Sequence, residues 1–258
     1  MIFEYKGIPV YYTETGEGSA IVLLHGFLEN SSMWDAFIPE LSKKNKVICI
    51  DLLGHGQTDC LGYIHTMEMM ADAVDAVLNH LKIKSAIFIG HSMGGYVALA
   101  YAEIFPKKIN GLCLMNSTSK ADDDDRKKNR DRAIIAVKQN HKTFVRIAVV
   151  NLFRPKNRKI FSKQIKLIKK EALKIPVQGI IAALEGMKNR KDREPIFKNG
   201  PFNKLMIISK KDPVLNYNSL ILQTTNSDID VVEFPDGHMS HVENESLFLR
   251  TITHFIDF

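Results

Sequence analysis

Ser92 is the first residue of this chain whose type and spacing could do covalent chemistry. It sits in Gly90-His91-Ser92-Met93-Gly94-Gly95, between an apolar run and a helix-like segment. A serine held in a sharp strand-to-helix turn needs small neighbours two positions before and two after it, and Gly90 and Gly94 supply them. The stretch reads as a nucleophile elbow. A hydroxyl is a poor nucleophile until a base takes its proton, and that base needs a carboxylate to fix its tautomer and stabilise its charge. Asp212, in Lys210-Lys211-Asp212-Pro213-Val214, and His238, in Pro235-Asp236-Gly237-His238, each follow a later strand-like run, giving the chain order Ser, Asp, His. His241 is an alternative base, but His238 stands directly after Gly237 in the turn and is favoured. Asp236 reads as a turn residue.

Other chemistry-bearing residues have simpler readings. His238-Met239-Ser240-His241 has the two-histidine spacing of a metal site, yet no third ligand accompanies it, so no metal is expected. His25 and His91 flank the proposed site and read as braces for its loops, and His55, between Gly54 and Gly56, reads as structural. Asp122 to Asp125, placed before Arg126-Lys127-Lys128, suit a helix amino terminus and its dipole better than a calcium site.

Strands and helices must hold these residues in place. Phe3 to Tyr12 and Ala20 to Leu24 are expected to form an opening hairpin around the 14–18 turn, leading into a central strand that ends in His25-Gly26-Phe27. Open α/β sheets place ligands where strand carboxyl ends run into glycine-containing loops, so residues 27–33 should border a site. Trp34 to Leu41 suggests a short helix whose regularity Pro39 limits, and Lys46 to Asp51 a buried strand. Met67 to Leu81 has helical spacing, with Asp72 and Asp75 near its open face. Ile87 to Ile89 suit a strand buried on both faces; Val97 to Ala102 continue as a helix, with Gly95 and Ala98 small enough to let it pack against the sheet. Strands at Ile109–Met115, Leu205–Ser209 and Asp230–Phe234, and helices at Ile221–Thr225 and Ser246–Phe255, complete the pattern. Five β-then-α units imply an α/β fold, a mostly parallel sheet with helices on both faces.

Composition marks where that pattern is interrupted. Between Ser117 and Phe197 there are 22 Lys or Arg against 9 Asp or Glu, so the net charge of +6 originates in this stretch. Its apolar residues recur at helical intervals, with breaks expected near Asn140, Pro155 and Pro176. We read 117–197 as a helical cap inserted into a core made of 1–116 and 198–258. The basic surplus could steer an anionic substrate, or it could be a set of solvated helix faces. Nucleic-acid binding has no motif beyond charge. The three cysteines lack metal-ligand spacing, and no apolar run approaches the roughly eighteen residues of a membrane span. With an early Glu4 and no apolar signal core, the chain is expected to be cytoplasmic.

Jointly, HGF at 25–27, DLLGHG at 51–56, GHSMGG at 90–95, KKDPV at 210–214 and DGHMSHVE at 236–243 resemble the α/β-hydrolase family, in the subgroup with a helical cap. The resemblance implies Ser92 as nucleophile, His238 as general base and Asp212 as its orienting acid. It also implies an oxyanion hole from the backbone N–H groups of Phe27 and Met93. Epoxide hydrolases and haloalkane dehalogenases of this fold use an aspartate where Ser92 stands. The expected reaction is therefore acyl transfer, cleavage of a small-molecule ester or related acyl bond with no cofactor. Two other readings stay open. DLLGHGQTD and HGFLENSSMW also resemble the pyruvate-eliminating menaquinone-pathway synthase of this fold. Its elbow reads GYSMGGR, and here His91 and Tyr96 replace the tyrosine and arginine, although Arg126, Arg130 or Arg146 could supply the missing charge. A non-catalytic ligand-binding relative is the third, and an intact serine, acid and histidine argue against it.

Overall fold

The computed structural model describes residues 1–257. Its strands are β1 Ile2–Tyr5, β2 Ile8–Thr15, β3 Ser19–Leu24, β4 Asn45–Ile50, β5 Ala86–His91, β6 Ile109–Met115, β7 Asn203–Ser209 and β8 Asp230–Phe234. They form one eight-stranded sheet in the order β1-β2-β4-β3-β5-β6-β7-β8. β1 and β2 pair antiparallel, as do β2 and β4, and the remaining neighbours are parallel.

The expected hairpin between Phe3–Tyr12 and Ala20–Leu24 does not form. Phe3–Tyr12 is itself two strands that reverse at Lys6-Gly7, both with positive φ. β4 then lies between β2 and β3. The continuous apolar run of β3 suits a strand with parallel partners on both sides, and β4 and β5 provide them. Alternate side chains of the central strands enter two cores. Val22, Leu24, Ile48, Phe88 and Leu112 pack on one face, and Ile21, Leu23, Cys49, Ile89 and Cys113 on the other.

Helices cover both faces. α1 Ile38–Leu41 is a single turn, separate from a 3₁₀ turn at Ser31–Trp34, so the helix expected over Trp34–Leu41 is divided. Pro39 opens the second piece, where its missing N–H costs nothing. α2 Met67–His80 and α3 Met93–Ile104 pack together on the first face. That contact overturns the exposed placement of Asp75. The carboxylate is buried between the helices, accepting from Tyr101 Oη at 3.0 Å and Lys108 Nζ at 2.7 Å.

Between β6 and β7 the chain is helical. α4 Asp124–Asn151 leaves helical geometry at Asn140, with φ −158° and ψ 85°, and a 3₁₀ turn at Pro155–Asn157 precedes α5 Ser162–Ala172. Pro176 caps α6 Val177–Lys188, and α7 Glu194–Asn199 leads to β7. The breaks thus fall at Asn140, Pro155 and Pro176. Asp123 caps α4, accepting from the Arg126 N–H at 2.8 Å. α6 is fastened to the 54–66 segment. His65 N–H donates to the Ala182 carbonyl at 3.0 Å, and a Cβ at Gly186 would run into the His65 carbonyl oxygen. Arg193 adds a buried link, its Nη2 meeting Glu68 of α2 and Glu103 of α3. α8 Tyr217–Thr224, α9 Ser240–Glu243 and α10 Glu245–Ile256 finish the chain. Among the described residues no helix is long and apolar enough to cross a membrane, and Cys49, Cys60 and Cys113 are free thiols.

Candidate active site

Steric demand builds the turn at the end of β5. A Cβ at Gly90 would lie 2.5 Å from the Gly94 carbonyl carbon, and one at Gly94 would overlap the Leu24 carbonyl. Only glycine fits at either position. Between them Ser92 takes φ 48° and ψ −110°, a backbone conformation that costs on the order of 1–3 kcal/mol for a non-glycine residue. Surrounding bonds hold it there. The Ser92 N–H donates to the Met115 carbonyl at 3.0 Å, and the Ser92 carbonyl accepts from Ser117 Oγ at 2.8 Å. Gly95 eases packing on the sheet, a Cβ there falling 3.2 Å from the Gly90 carbonyl oxygen of β5, and it also makes room for the Ser117 side chain. Among the described residues Ser92 Oγ has no hydrogen-bond partner, and it faces a cavity of about 140 Å³.

His238 lines the same cavity. Its Nδ1 lies 2.7 Å from Asp212 Oδ2, so Nδ1–H donates to the carboxylate. Asp212 is anchored by the chain after β7. Oδ1 accepts the Val214 and Leu215 N–H groups at 2.7 and 3.0 Å, and Oδ2 also accepts Asn116 Nδ2 at 3.0 Å. Burial would raise this carboxyl's pKa, but contact with His238 and these donors outweighs it and holds it below the ordinary value. Asn116, at φ 45° just past β6, donates to Ser209 Oγ as well and accepts from Ser240 Oγ at 2.6 Å. Phe27 lines the cavity on the side of β3, and Met93 is the first residue of α3, where a backbone N–H has no acceptor within the helix.

A buried charge pair adjoins the cavity, and its member His91 lines it. Glu29 Oε2 accepts from the Gly26 N–H at 2.9 Å and from His91 Nδ1 at 2.6 Å, while His91 Nε2 lies 3.0 Å from the His238 carbonyl. Both ring nitrogens of His91 therefore face acceptors, which requires a proton on each and makes the ring an imidazolium. Burial opposes its charge, yet Glu29 and the His238 carbonyl raise its pKa. For Glu29 burial is likewise outweighed by His91, and its carboxyl is held at about 2.

His241 stands beside this pair, with Nε2 3.6 Å from Glu29 Oε1. Burial lowers its pKa to about 3, which keeps it neutral. Glu29, His91 and His241 thus supply the cluster of three metal-ligand types that the sequence did not reveal around His241, and His238 is not part of it. The hydrogen bonds occupy both nitrogens of His91 and leave it no lone pair for a metal. His25 braces the neighbouring loop, its Nε2 accepting from the Leu52 N–H at 2.9 Å, and buried His55 contacts the Leu53 carbonyl.

Ser92, Asp212, His238, Phe27 and Met93 therefore gather at the carboxyl ends of β3, β5, β7 and β8, and His241 stays outside the cavity lining. Arg130, Ala148, Leu152 and Met187, from the helical stretch between β6 and β7, also line the cavity. Glu29 and Asn116 escaped the sequence reading. The one available signal was position, Glu29 three residues after Gly26 and Asn116 directly after an apolar strand. A larger concavity of about 900 Å³ lies beside Asn203–Leu205, β8 and α10. It holds none of these residues and sits by the amino end of β7, whereas sheets of this kind take ligands at the carboxyl ends.

Residues 19–245 match the family model described as alpha/beta hydrolase fold. Among solved structures, a thermophilic esterase from Thermogutta terrifontis, with malate bound, superimposes with a TM-score of 0.92 at 26% identity, over 99% of this chain and 96% of that one. An uncharacterized hydrolase of Bacillus subtilis is 33% identical over 119 residues, 45% of this chain and 44% of that protein. A putative 2-succinyl-6-hydroxy-2,4-cyclohexadiene-1-carboxylate synthase, also of Bacillus subtilis, is 32% identical over 115 residues, 42% of each. The chain spans less than half the length of the curated relatives it matches.

Proposed function

Because the chain belongs to the alpha/beta hydrolase fold family, we propose that it is a serine hydrolase cleaving a small-molecule carboxylic ester or related acyl bond through an acyl-enzyme on Ser92. The observation that carries this reading is the convergence of a strained, unpaired Ser92 hydroxyl and an Asp212-bound His238 on one cavity. In this reading the Ser92 proton passes to His238 Nε2 as Oγ attacks the carbonyl carbon, and the oxyanion is received by the Phe27 and Met93 N–H groups. His238 then protonates the departing alkoxide. Water enters, gives a proton to the same nitrogen and adds to the acyl carbon, and Ser92 leaves with that proton. Asp212 stabilises the imidazolium at both stages. Residues 117–197, which hold α4–α6 and the start of α7, act as the cap that shapes the acyl and alcohol subsites over a core of 1–116 and 198–258. The three free thiols favour a cytoplasmic setting.

Short p-nitrophenyl esters should be hydrolysed and a fluorophosphonate should label Ser92. Ser92→Ala should lower kcat by at least about 10³-fold and abolish labelling. Retained turnover in that variant would remove Ser92 as the nucleophile, and an unlabelled wild-type protein would favour a non-catalytic binder.

One observation favours a lyase as the second reading. Tyr96 occupies the position where the pyruvate-eliminating synthase carries arginine, but the Arg190 guanidinium lies 4.1 Å from the Tyr96 ring centroid and Arg130 lines the cavity. Release of pyruvate from the synthase's substrate, measured with a coupled dehydrogenase, separates the two readings.

A further inference from the structure

Two guanidinium groups share one carboxylate at the edge of the active-site cavity. Asp122 is 3% exposed; its Oδ2 accepts from Arg130 Nε at 3.0 Å, and its Oδ1 lies 2.6 Å from Arg190 Nη1. Arg190 is fully engaged. It donates to the Lys120 carbonyl from Nε and Nη2 and to the Met187 carbonyl from Nη1, and it stacks on Tyr96. Arg130 is not: only its Nε is used, its side chain is 21% exposed, and it lines the cavity that holds Ser92 and His238. Among the described residues its Nη atoms have no acceptor. Among the described residues no carboxylate lines this cavity; the charge of His91 is met by Glu29, and Arg130 brings a cation with unused donors against a wall that includes Phe27, Leu28, Tyr96, Ala148, Leu152 and Met187.

We propose that Arg130 is an anion subsite of this cavity, and that the preferred substrate is a short acyl compound carrying a carboxylate within a few atoms of the scissile carbonyl. The proposal rests on the serine-hydrolase reading and narrows its substrate class. A structural role for Arg130 as the counter-ion of Asp122 is already filled by Arg190, the nearer and more buried of the two. Two positive charges against one negative leave one in excess. The Asp122 carboxyl stays ionised, because burial acting to raise its pKa is outweighed by both arginines, so the excess persists at working pH. The Nη groups of a guanidinium match a carboxylate in a two-point hydrogen bond, and a largely apolar wall strengthens that pairing relative to water. Size sets the second limit. A cavity of about 140 Å³ is small against the roughly 300–1,000 Å³ of ordinary ligand pockets, so the carboxylate and the scissile carbonyl have to be close together.

The test compares monomethyl succinate with methyl butyrate by titration of the acid released, using wild-type, Arg130→Gln and Arg130→Lys proteins. Wild-type kcat/KM should favour the anionic ester by roughly tenfold or more. Arg130→Gln should erase that preference through KM, bringing the ratio of the two kcat/KM values to about one, and Arg130→Lys should restore part of it. Equal rates on both esters in the wild type, or an equal loss on both in Arg130→Gln, would overturn the proposal. A readout independent of turnover is the shift of the thermal unfolding midpoint by succinate. It should rise for wild-type and Ser92→Ala proteins and stay unchanged for Arg130→Gln, and no shift in the wild type would also overturn the subsite. If neither ester is hydrolysed but succinate still raises the midpoint in an Arg130-dependent way, the subsite stands and the serine-hydrolase reading falls.

Discussion

Asn116 reaches the acid and the turn that carries the base at once. From a left-handed backbone at the end of β6 it donates to Asp212 and Ser209 and accepts from Ser240, two residues after His238. Truncating it leaves buried partners unsatisfied, at about 1–3 kcal/mol for each group so exposed. Asn116→Ala should therefore lower kcat by roughly 10- to 100-fold with little change in KM, because the substrate-lining residues remain while the acid and base lose register. Steady-state kinetics give that split directly, and a loss confined to KM would show that Asn116 does not position them. His91 works on the other side of the same base. As an imidazolium between Glu29 and the His238 carbonyl, it ties the loop that presents Phe27 to the turn that presents His238.

Among the elements, α6 is the one whose position is least free. Its glycines bring backbone against backbone: Gly179 abuts Gly54, and Gly186 abuts His65. Gly186→Ala should push α6 off the 54–66 segment and destabilise the protein by about 1–3 kcal/mol, read as a lower midpoint in urea or heat. An unchanged midpoint would mean that this helix yields without cost. Helix and strand identities were legible in the sequence because apolar periodicity is local, and the breaks at Asn140, Pro155 and Pro176 were legible because asparagine and proline act on their own backbone. Pairing was not legible. β2 joins β4 rather than β3 because a central strand needs partners on both sides, a demand set by chain far from the 14–18 turn. The same division holds at the site. Ser92 announces itself through the glycines that its own turn requires. Glu29 and Asp122 do not, because His91 and Arg190 lie more than sixty residues away along the chain.

Across the whole molecule, buried titratable groups set the response to acid. His55 and His241 are neutral and buried, and burial brings both from an ordinary value of 6.5 down to about 3. Their folded pKa lies below the unfolded one, so their stability contribution is complete above pH 6.5. It falls as pH drops toward 3, each histidine adding up to about 1.4 kcal/mol per pH unit. Glu29 acts in the same sense from about 4.5 down toward 2. His91 acts oppositely: its raised pKa gives stability below 6.5 that is lost as pH rises through its folded value. The unfolding midpoint should therefore decline steadily between pH 6.5 and 4, and a flat profile across that range would contradict the neutral burial of His55 and His241. The sheet order has a consequence in time as well as in space. β6 and β7 are neighbours although the 117–197 helices separate them in sequence, and the base follows β8, the last strand made. A chain emerging from the ribosome thus carries the serine elbow long before it can carry Asp212 or His238, and until β7 arrives the flank of β6 is an unpaired edge. On the proposed mechanism, a nascent or prematurely ended chain lacking the Pro235–His238 turn is chemically silent, so activity itself reports that synthesis has gone past β8.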